Sequence, residues 1–532
     1  MSRSSYIRGA GIIAIGGIIA KLLGLFFKIP IGRILDSFGY GLYYNSYNIY
    51  NLMLTISIIG VPVAISKMIA ERASVKNYLG VMNVFKISML FMLIVGSVAS
   101  LTLFLGANFI IKIAGWDEGT YYALLGLAFA PFFVSLLSGF RGFFQGMQMM
   151  TPTAISQIIE AFARVLLGIG LCIYLTNNFG YAEGAGGASS GALFGAVAAF
   201  LFLIFAWYLF IKDFRKKVEK SSGRFAKESN RKLVKRLLQI AIPVTLTSAV
   251  VSLFGIVNSF TYVSRLAKAG FDLRQATMMF GDYGLAQTMI NVPLTFSTAM
   301  SITLVPSISE SFVLKNKAAI KHKTELGLRM ILLIALPCAV GLSVFSEEIF
   351  ALLFPNSAFG GGILNYFAFS TVLIMFANTL QSILQGMDKF TLPLKHLIPG
   401  LFVNLVFNFI FVSIPEINIY GLVISNMSAY FVIGALNYKS VRKYTNVRIN
   451  PVQTVLKPVA ASAFMGFFGI LAYDFLNNWL NNAFSVLISI FLCIIIYMVS
   501  LISIKGLTEE ELEMFPGRNR LRKFLGKLVR KG

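Results

Sequence analysis

Four charged side chains stand inside stretches that are otherwise apolar. Lys21 and Lys28 lie in IIAKLLGLFFKIP, and Glu160 and Arg164 lie in IIEAFARVLLG. On a helix, seven residues make about two turns, so Lys21 and Lys28 point the same way. Gly24 lies between them on that face and leaves room. Two cations over a small residue suit an anion: a pyrophosphate, or the lone acidic group of a peptide or uronic sugar. The alternative for Lys28 is that its stem runs along apolar surface and its ammonium reaches a membrane interface. Glu160 and Arg164 are spaced for an ion pair one helical turn long, with the acid on the N-terminal side. Either the pair neutralises itself so that its helix can enter lipid, or Glu160 exchanges Arg164 for a cation, a proton or a headgroup and acts in coupling or gating. No arrangement of side chains for covalent catalysis is visible, and no catalytic residue is assigned.

These residues must be positioned by helices in a membrane. The 532 residues are 57% hydrophobic and only 13% charged, too apolar to offer water a surface. Apolar runs of about 20 residues span a bilayer as helices. Fourteen are expected, near 8–33, 42–66, 82–106, 120–144, 152–176, 187–211, 237–263, 283–306, 326–346, 363–386, 394–415, 418–438, 455–475 and 483–504. They are too long and uniform for barrel strands. The first carries Lys21 and Lys28 with no small-residue cleavage site after it, unlike a cleaved signal peptide.

The net charge of +24 is unevenly placed. With both termini in the cytoplasm, most Lys and Arg fall in cytoplasmic segments, including Arg141, and few in outer loops, among them Arg33 and Arg265. That is the positive-inside pattern. The basic excess therefore reads as topology and attraction to anionic lipid, not nucleic-acid binding. Cys172, Cys338 and Cys493 are scattered, and His322 and His396 lack ligand spacing, so no metal site is expected. There is no Gly-rich phosphate loop either. No cofactor is expected; energy would come from Na+, H+ or the membrane potential.

Two phrases recur. FFQGMQMMTP (Phe143–Pro152) and ILQGMDKFTLP (Ile383–Pro393) share an apolar pair, Gln-Gly-Met, Thr and Pro, about 240 residues apart. GVPVAISKMIAER (Gly60–Arg72) is echoed by LVPSISESFVLK (Leu304–Lys315), with Pro62 set against Pro306. Each pair is six expected spans apart, so spans 1–6 and 7–12 read as two parallel copies of a six-helix unit. The expected divisions are an N-terminal lobe (1–211), a basic cytoplasmic linker (212–236), a C-terminal lobe (237–438), two extra helices (439–505) and a basic, amphipathic tail (506–532). At the recurring turns, Gly146 and Gly386 allow close approach, and Gln145 and Gln385 can tie loose carbonyls.

IAKLLGLFFKIPIGRILDSFGYGLYYNSYNIYNL (Ile19–Leu52), VPVAISK at the end of span 2, and YGLAQTMINVPLTFSTAMSITLVPSISESF (Tyr283–Phe312) resemble one known family. It is the polysaccharide transporter branch of the multidrug/oligosaccharidyl-lipid/polysaccharide (MOP) exporter superfamily, nearest its SpoVB/YtgP group, which includes MurJ-type lipid II flippases. The resemblance runs from span 1 through span 12. It implies an all-α integral membrane protein of fourteen helices, two six-helix lobes in a V plus two C-terminal helices bordering a lipid-tail groove. It also implies a cationic cavity for a polyprenyl-pyrophosphate-linked saccharide, with Lys21, Lys28 and Arg33 at positions the group usually fills with Arg. Lysine keeps the charge there but not the bidentate geometry.

Asn48, Asn51, Asn258 and Asn291 add intramembrane amides, which serve helix pairing or sugar hydroxyls. Arg265 belongs to an outer gate or anchors its helix. Together with Arg164 they complete the candidate cavity lining. The function expected is flipping of an undecaprenyl-linked saccharide, foremost lipid II. Teichoic, capsular or spore precursors are the alternatives. A multidrug/cation antiporter would favour acidic residues where this chain has cations. A membrane enzyme would need acid/base groups in a sizeable outer loop, and the longest, about Ser264–Asp282, has no paired carboxylates or His. The expected setting is a bacterial cytoplasmic membrane. The chain is read as a monomer, with cell-wall synthesis machinery as a further candidate partner.

Overall fold

The computed structural model describes residues 3–56, 60–222 and 228–507. The tail beyond residue 507 and the middle of the expected linker, 223–227, lie outside the described residues. Helices occupy the chain in the order α1 (Arg3–Leu54), α2 (Gly60–Ser74), α3 (Tyr78–Ala114), α4 (Thr120–Ala128), α5 (Ala130–Gly146), α6 (Met150–Asn178), α7 (Tyr181–Ser222), α8 (Asn230–Lys268), α9 (Leu273–Val313), α10 (Lys317–Val344), α11 (Ser346–Leu353), α12 (Gly360–Phe367), α13 (Ser370–Gly386), α14 (Thr391–Phe411), α15 (Tyr420–Thr445), α16 (Lys457–Asn477) and α17 (Asn482–Ser503). Among the described residues, ten helices are long and apolar enough to cross a membrane, eleven if α12 and α13, bent by 43°, form one span. The other three expected segments, 8–33, 42–66 and 418–438, fall on α1, α2 and α15, with 57–59 outside the described residues.

The chain divides into two compact units, 1–284 with 408–419, and 285–407 with 420–532. In the first, Phe85, Phe140, Phe143 and Phe144 pack with Trp207, whose ring lies 4.5 Å from Phe85 and 4.7 Å from Phe143. In the second, Leu304, Ile308, Leu380, Ile383 and Leu384 form the corresponding core. The apolar pairs that open the two recurring phrases are thus fully buried at each site.

The phrases build one turn twice. After Gly146, the N–H groups of Met147, Gln148 and Met149 donate to the carbonyls of Phe143, Gln145 and Phe144. After Gly386, those of Met387, Asp388 and Lys389 donate to Ile383, Gln385 and Leu384. Gln148 (φ 61°) and Asp388 (φ 62°) take the left-handed conformation that reverses the chain. A Cβ on Gly146 would stand 2.7 Å from that of Ile69, and one on Gly386 would stand 2.9 Å from that of Ile308. Contrary to the sequence expectation, the Gln145 and Gln385 side chains make no hydrogen bond among the described residues; the backbone satisfies the carbonyls itself. The second echo also folds alike. Lys76 (φ 58°) and Lys315 (φ 53°) precede Asn77 and Asn316, whose side chains cap the next helices at Gly80 and Ala319. Because Ile69 corresponds to Ile308 and Asn77 to Asn316, Pro306 is not the counterpart of Pro62, and that part of the sequence pairing is corrected. Valine at either turn glycine should cost about 1–3 kcal/mol by overpacking against the isoleucine. The thermal midpoint of each purified variant checks this; unchanged midpoints would mean the turns tolerate separation.

Two expected loops are shorter than anticipated. The loop expected between 33 and 42 is one residue, Asp36 (φ 52°, ψ −176°), inside α1. The Tyr181 hydroxyl holds its carboxylate at 2.6 Å. Arg33 is therefore a helical residue one turn before the break, not a loop residue. The loop expected over Ser264–Asp282 shrinks to Ala269–Asp272, turned by Gly270 (φ 93°) and capped by Asp272 on the Gln275 N–H. Apolar counting misses such helix ends because their last turns are polar.

Candidate functional site

The site is built in the first unit by a close pair of helices. α7 begins YAEGAGGASSGALFG, and its small residues let it lie against α6 backbone to backbone. A Cβ on Gly191 would meet the Gly168 Cα at 2.7 Å, and one on Gly195 would meet the Glu160 carbonyl at 2.5 Å. With α7 so near, α6 turns Glu160 and Arg164 toward α5 and the second half of α1.

Glu160 is bound twice. Its Oε1 accepts from Nη2 of Arg164 at 2.8 Å, the ion pair expected from the spacing. Its Oε2 accepts from Nη2 of Arg141 at 2.9 Å. Arg141, counted among the cytoplasmic basic residues, is a half-buried member of an Arg–Glu–Arg triad on α5. Its Nε also donates to Ser156 at 2.9 Å. A signal for this existed. α5 and α6 form a hairpin about the Gln-Gly-Met turn, so residues roughly equidistant from it, such as Arg141 and Ser156, face each other. The triad carries one net positive charge inside the membrane-spanning part of the unit, and intramembrane charge is costly enough to be placed facing protein or a wet cavity.

Arg164 looks onto a ladder of tyrosines on α1. Tyr43, Tyr47 and Tyr50 are all within its electrostatic reach. Tyr43 stacks on Tyr47 at 5.4 Å, and Tyr47 lies 6.0 Å from Tyr50. The Lys28 ammonium sits 5.3 Å from the centre of the Tyr47 ring, a cation–π contact. Lys28 thus stands on the same ladder that interacts electrostatically with Arg164. Lys21 is exposed on the same helix, and a Cβ on Gly24 between the two lysines would find nothing within 4 Å. Both lysines lie on α1, Lys21 exposed and Lys28 half-buried over Tyr47. Arg33 is exposed further along it.

The predicted amides divide. Asn48 donates to Ser259 and Asn45 to Tyr262, both at 2.8 Å, so α1 and α8 are joined by hydrogen bonds across their faces. Asn258 donates to Tyr283 and accepts from Asn408. Asn48 and Asn258 are therefore engaged in helix pairing. Asn51 is half-buried, and Asn291, in the second unit, is exposed. Arg265 lies in the last turn of α8 with its guanidinium 4.2 Å over the Phe409 ring. At the far end of α2, Arg72 grips Glu228 with two nitrogens, at 2.6 and 2.8 Å, and Arg236 pairs with Glu71 at 2.6 Å. No group of three His, Cys, Asp or Glu able to hold a metal occurs among the described residues.

Known proteins give this arrangement its setting. A family model described as polysaccharide biosynthesis protein matches residues 6–312, and a model described as MatE matches 281–410. Lipid II flippase MurJ of Bacillus subtilis (strain 168) is 26% identical over 479 residues, 87% of either chain. Stage V sporulation protein B of the same organism is 24% identical, covering 98% of this chain and 99% of that one. A solved structure of lipid II flippase MurJ in an inward closed conformation matches 92% of this chain and 97% of its own, with a TM-score of 0.63 at 15% identity. That likeness shows the fold, which is the all-helical architecture expected from the sequence. The relatives named by activity are flippases, not enzymes. This multi-pass membrane protein belongs to the polysaccharide biosynthesis protein family, in the polysaccharide transporter group of the MOP exporter superfamily.

Proposed function

We propose that this chain is a flippase for an undecaprenyl-pyrophosphate-linked saccharide, with lipid II as the substrate, in the bacterial cytoplasmic membrane. The observation that carries this reading is the cluster of cations in one apolar unit: the Lys28 ammonium 5.3 Å from the Tyr47 ring, Lys21 on the same helix, and an Arg141–Glu160–Arg164 triad with one net positive charge. Cations in an apolar setting favour the phosphate end of such a lipid. Tyrosine rings and hydroxyls beside them offer stacking and hydrogen bonds to a sugar. Excess positive charge also argues against an organic-cation antiporter. Alternating access would then come from rocking of six-helix lobes 1–211 and 237–438, with both termini in the cytoplasm. An ion gradient or the membrane potential, ~2.3 kcal/mol per charge per 100 mV, would drive it.

The test is depletion of the protein in its own host, in cells without a redundant flippase, with labelling of lipid II on the outer face. Outer lipid II should fall and inner lipid II accumulate. Complementation with Lys21→Ala should leave the defect in place. Normal exposure of lipid II would sink the lipid II assignment. The likeness to Stage V sporulation protein B over nearly the whole chain supports a second reading, a spore-related precursor, and exposure measured during sporulation separates the two.

A further inference from the structure

We propose that Arg141 is a positioning residue for anion recognition. It takes up the charge of Glu160, and so leaves Arg164 as an unneutralised guanidinium that grips the phosphate of the substrate. The inference rests on the flippase reading above and names which charge in that site does the binding.

The geometry of the triad is unequal. Arg141 is anchored at two points, through Nη2 on Glu160 and Nε on Ser156. Ser156 is fully buried and is itself fixed, donating to the Thr153 carbonyl at 2.7 Å. Arg164 touches Glu160 through one nitrogen only. Its Nε has no protein partner although it is buried. The buried Tyr50 hydroxyl, which interacts electrostatically with Arg164, has none either. A donor on Arg164 and a hydroxyl near it are thus both unused by the fold, where nearly all such groups are paired. A phosphate oxygen could accept from either. One-fifth of the Arg164 side chain is open (21%), against 14% for Arg141.

Charge counting then separates a binding role from a structural one. In Arg141→Gln, Glu160 and Arg164 remain as a closed neutral pair, which is comfortable for folding but silences Arg164. Arg141→Gln with Glu160→Gln restores one net charge on Arg164. Arg141→Lys keeps the charge in place. If Arg141 merely stabilises the helix hairpin, none of this ordering follows.

The experiment measures binding of radiolabelled inorganic pyrophosphate to the purified full chain in neutral-lipid nanodiscs, and flipping of a lipid-linked saccharide in liposomes. Arg141→Gln should lose about tenfold or more in pyrophosphate affinity, the scale of a charge-assisted contact. The double variant and Arg141→Lys should both stand within about threefold of wild type. Flipping should follow the same order. Wild-type affinity in Arg141→Gln overturns the inference, as does a double variant as weak as Arg141→Gln at an unchanged thermal midpoint. So does a wild-type protein that binds no pyrophosphate. Should Arg141→Gln not fold, the other two variants carry the test, and a tenfold loss in either overturns it. Pyrophosphate binding that follows this order without any saccharide flipping would defeat the flippase reading alone; flipping with a flat variant series would defeat this inference alone.

Discussion

Glu160→Ala should cost the protein about 3–5 kcal/mol, enough to stop it accumulating in the membrane. The substitution removes the carboxylate between Arg141 and Arg164 and leaves two guanidiniums in a largely buried site, each without the charged partner it has among the described residues. Arg141 retains Ser156, but a hydroxyl does not offset a charge. The void left by the side chain adds to the loss, because α7 packs directly on the Glu160 backbone at Gly195 and cannot move in to fill it. Glu160→Gln should be milder, since it keeps an acceptor for one arginine. Membrane abundance and the midpoint of thermal aggregation in detergent measure both. An alanine variant as abundant and as stable as wild type would show that the arginines are neutralised by something else.

Gly281→Val should force open one end of the first unit. There α1 and α9 cross at contact distance. A Cβ on Gly281 would stand 1.9 Å from the Ser37 carbonyl, and one on Gly41 would stand 2.2 Å from the Thr277 carbonyl. Both obstacles are backbone, so neither can rotate away. The crossing is held by a 2.5 Å hydrogen bond from Ser37 to the fully buried Asp282. Next to it, Tyr262 stacks on Phe280 at 4.1 Å. Separating the helices breaks the first and loosens the second. The reporter is S37C in a background lacking Cys172, Cys338 and Cys493. Ser37 is 1% exposed, so an aqueous maleimide should label the cysteine barely at all with Gly281 present and readily with Gly281→Val. Equal labelling in both would mean the crossing is already open in solution.

The candidate site was legible in part, and the residues show why. Lys21, Lys28, Glu160 and Arg164 were visible because a charge in an apolar run is rare and its helical spacing is fixed by periodicity. Arg141 is equally charged, yet its place among the cytoplasmic basic residues gives no sign of Glu160. Its partner lies across a hairpin, and only the position of the turn says which residues face. Asn48 and Asn258 were placed in the cavity lining, and both are engaged in hydrogen bonds to other helices. An amide's part is decided by what stands opposite it, which spacing along one helix does not contain. The repeat was plain in the phrases themselves, but its register was not. Pro62 and Pro306 look alike as letters, whereas turn geometry matches Ile69 with Ile308 and Asn77 with Asn316.

By itself, then, the amino-acid order determined that this chain enters a membrane as helices, that it contains a repeated unit, and that a few cations are kept inside it. Those properties follow from local composition and from the 3.6-residue period, which each segment carries alone. Only the tertiary structure decided that Glu160 serves two arginines, that Lys28 sits over Tyr47, and that the loop at residue 36 is a single strained residue. Each of those depends on how closely helices from distant parts of the chain approach. Glycines such as Gly191, Gly195 and Gly281 set that distance, and their effect exists only once a neighbour is packed against them.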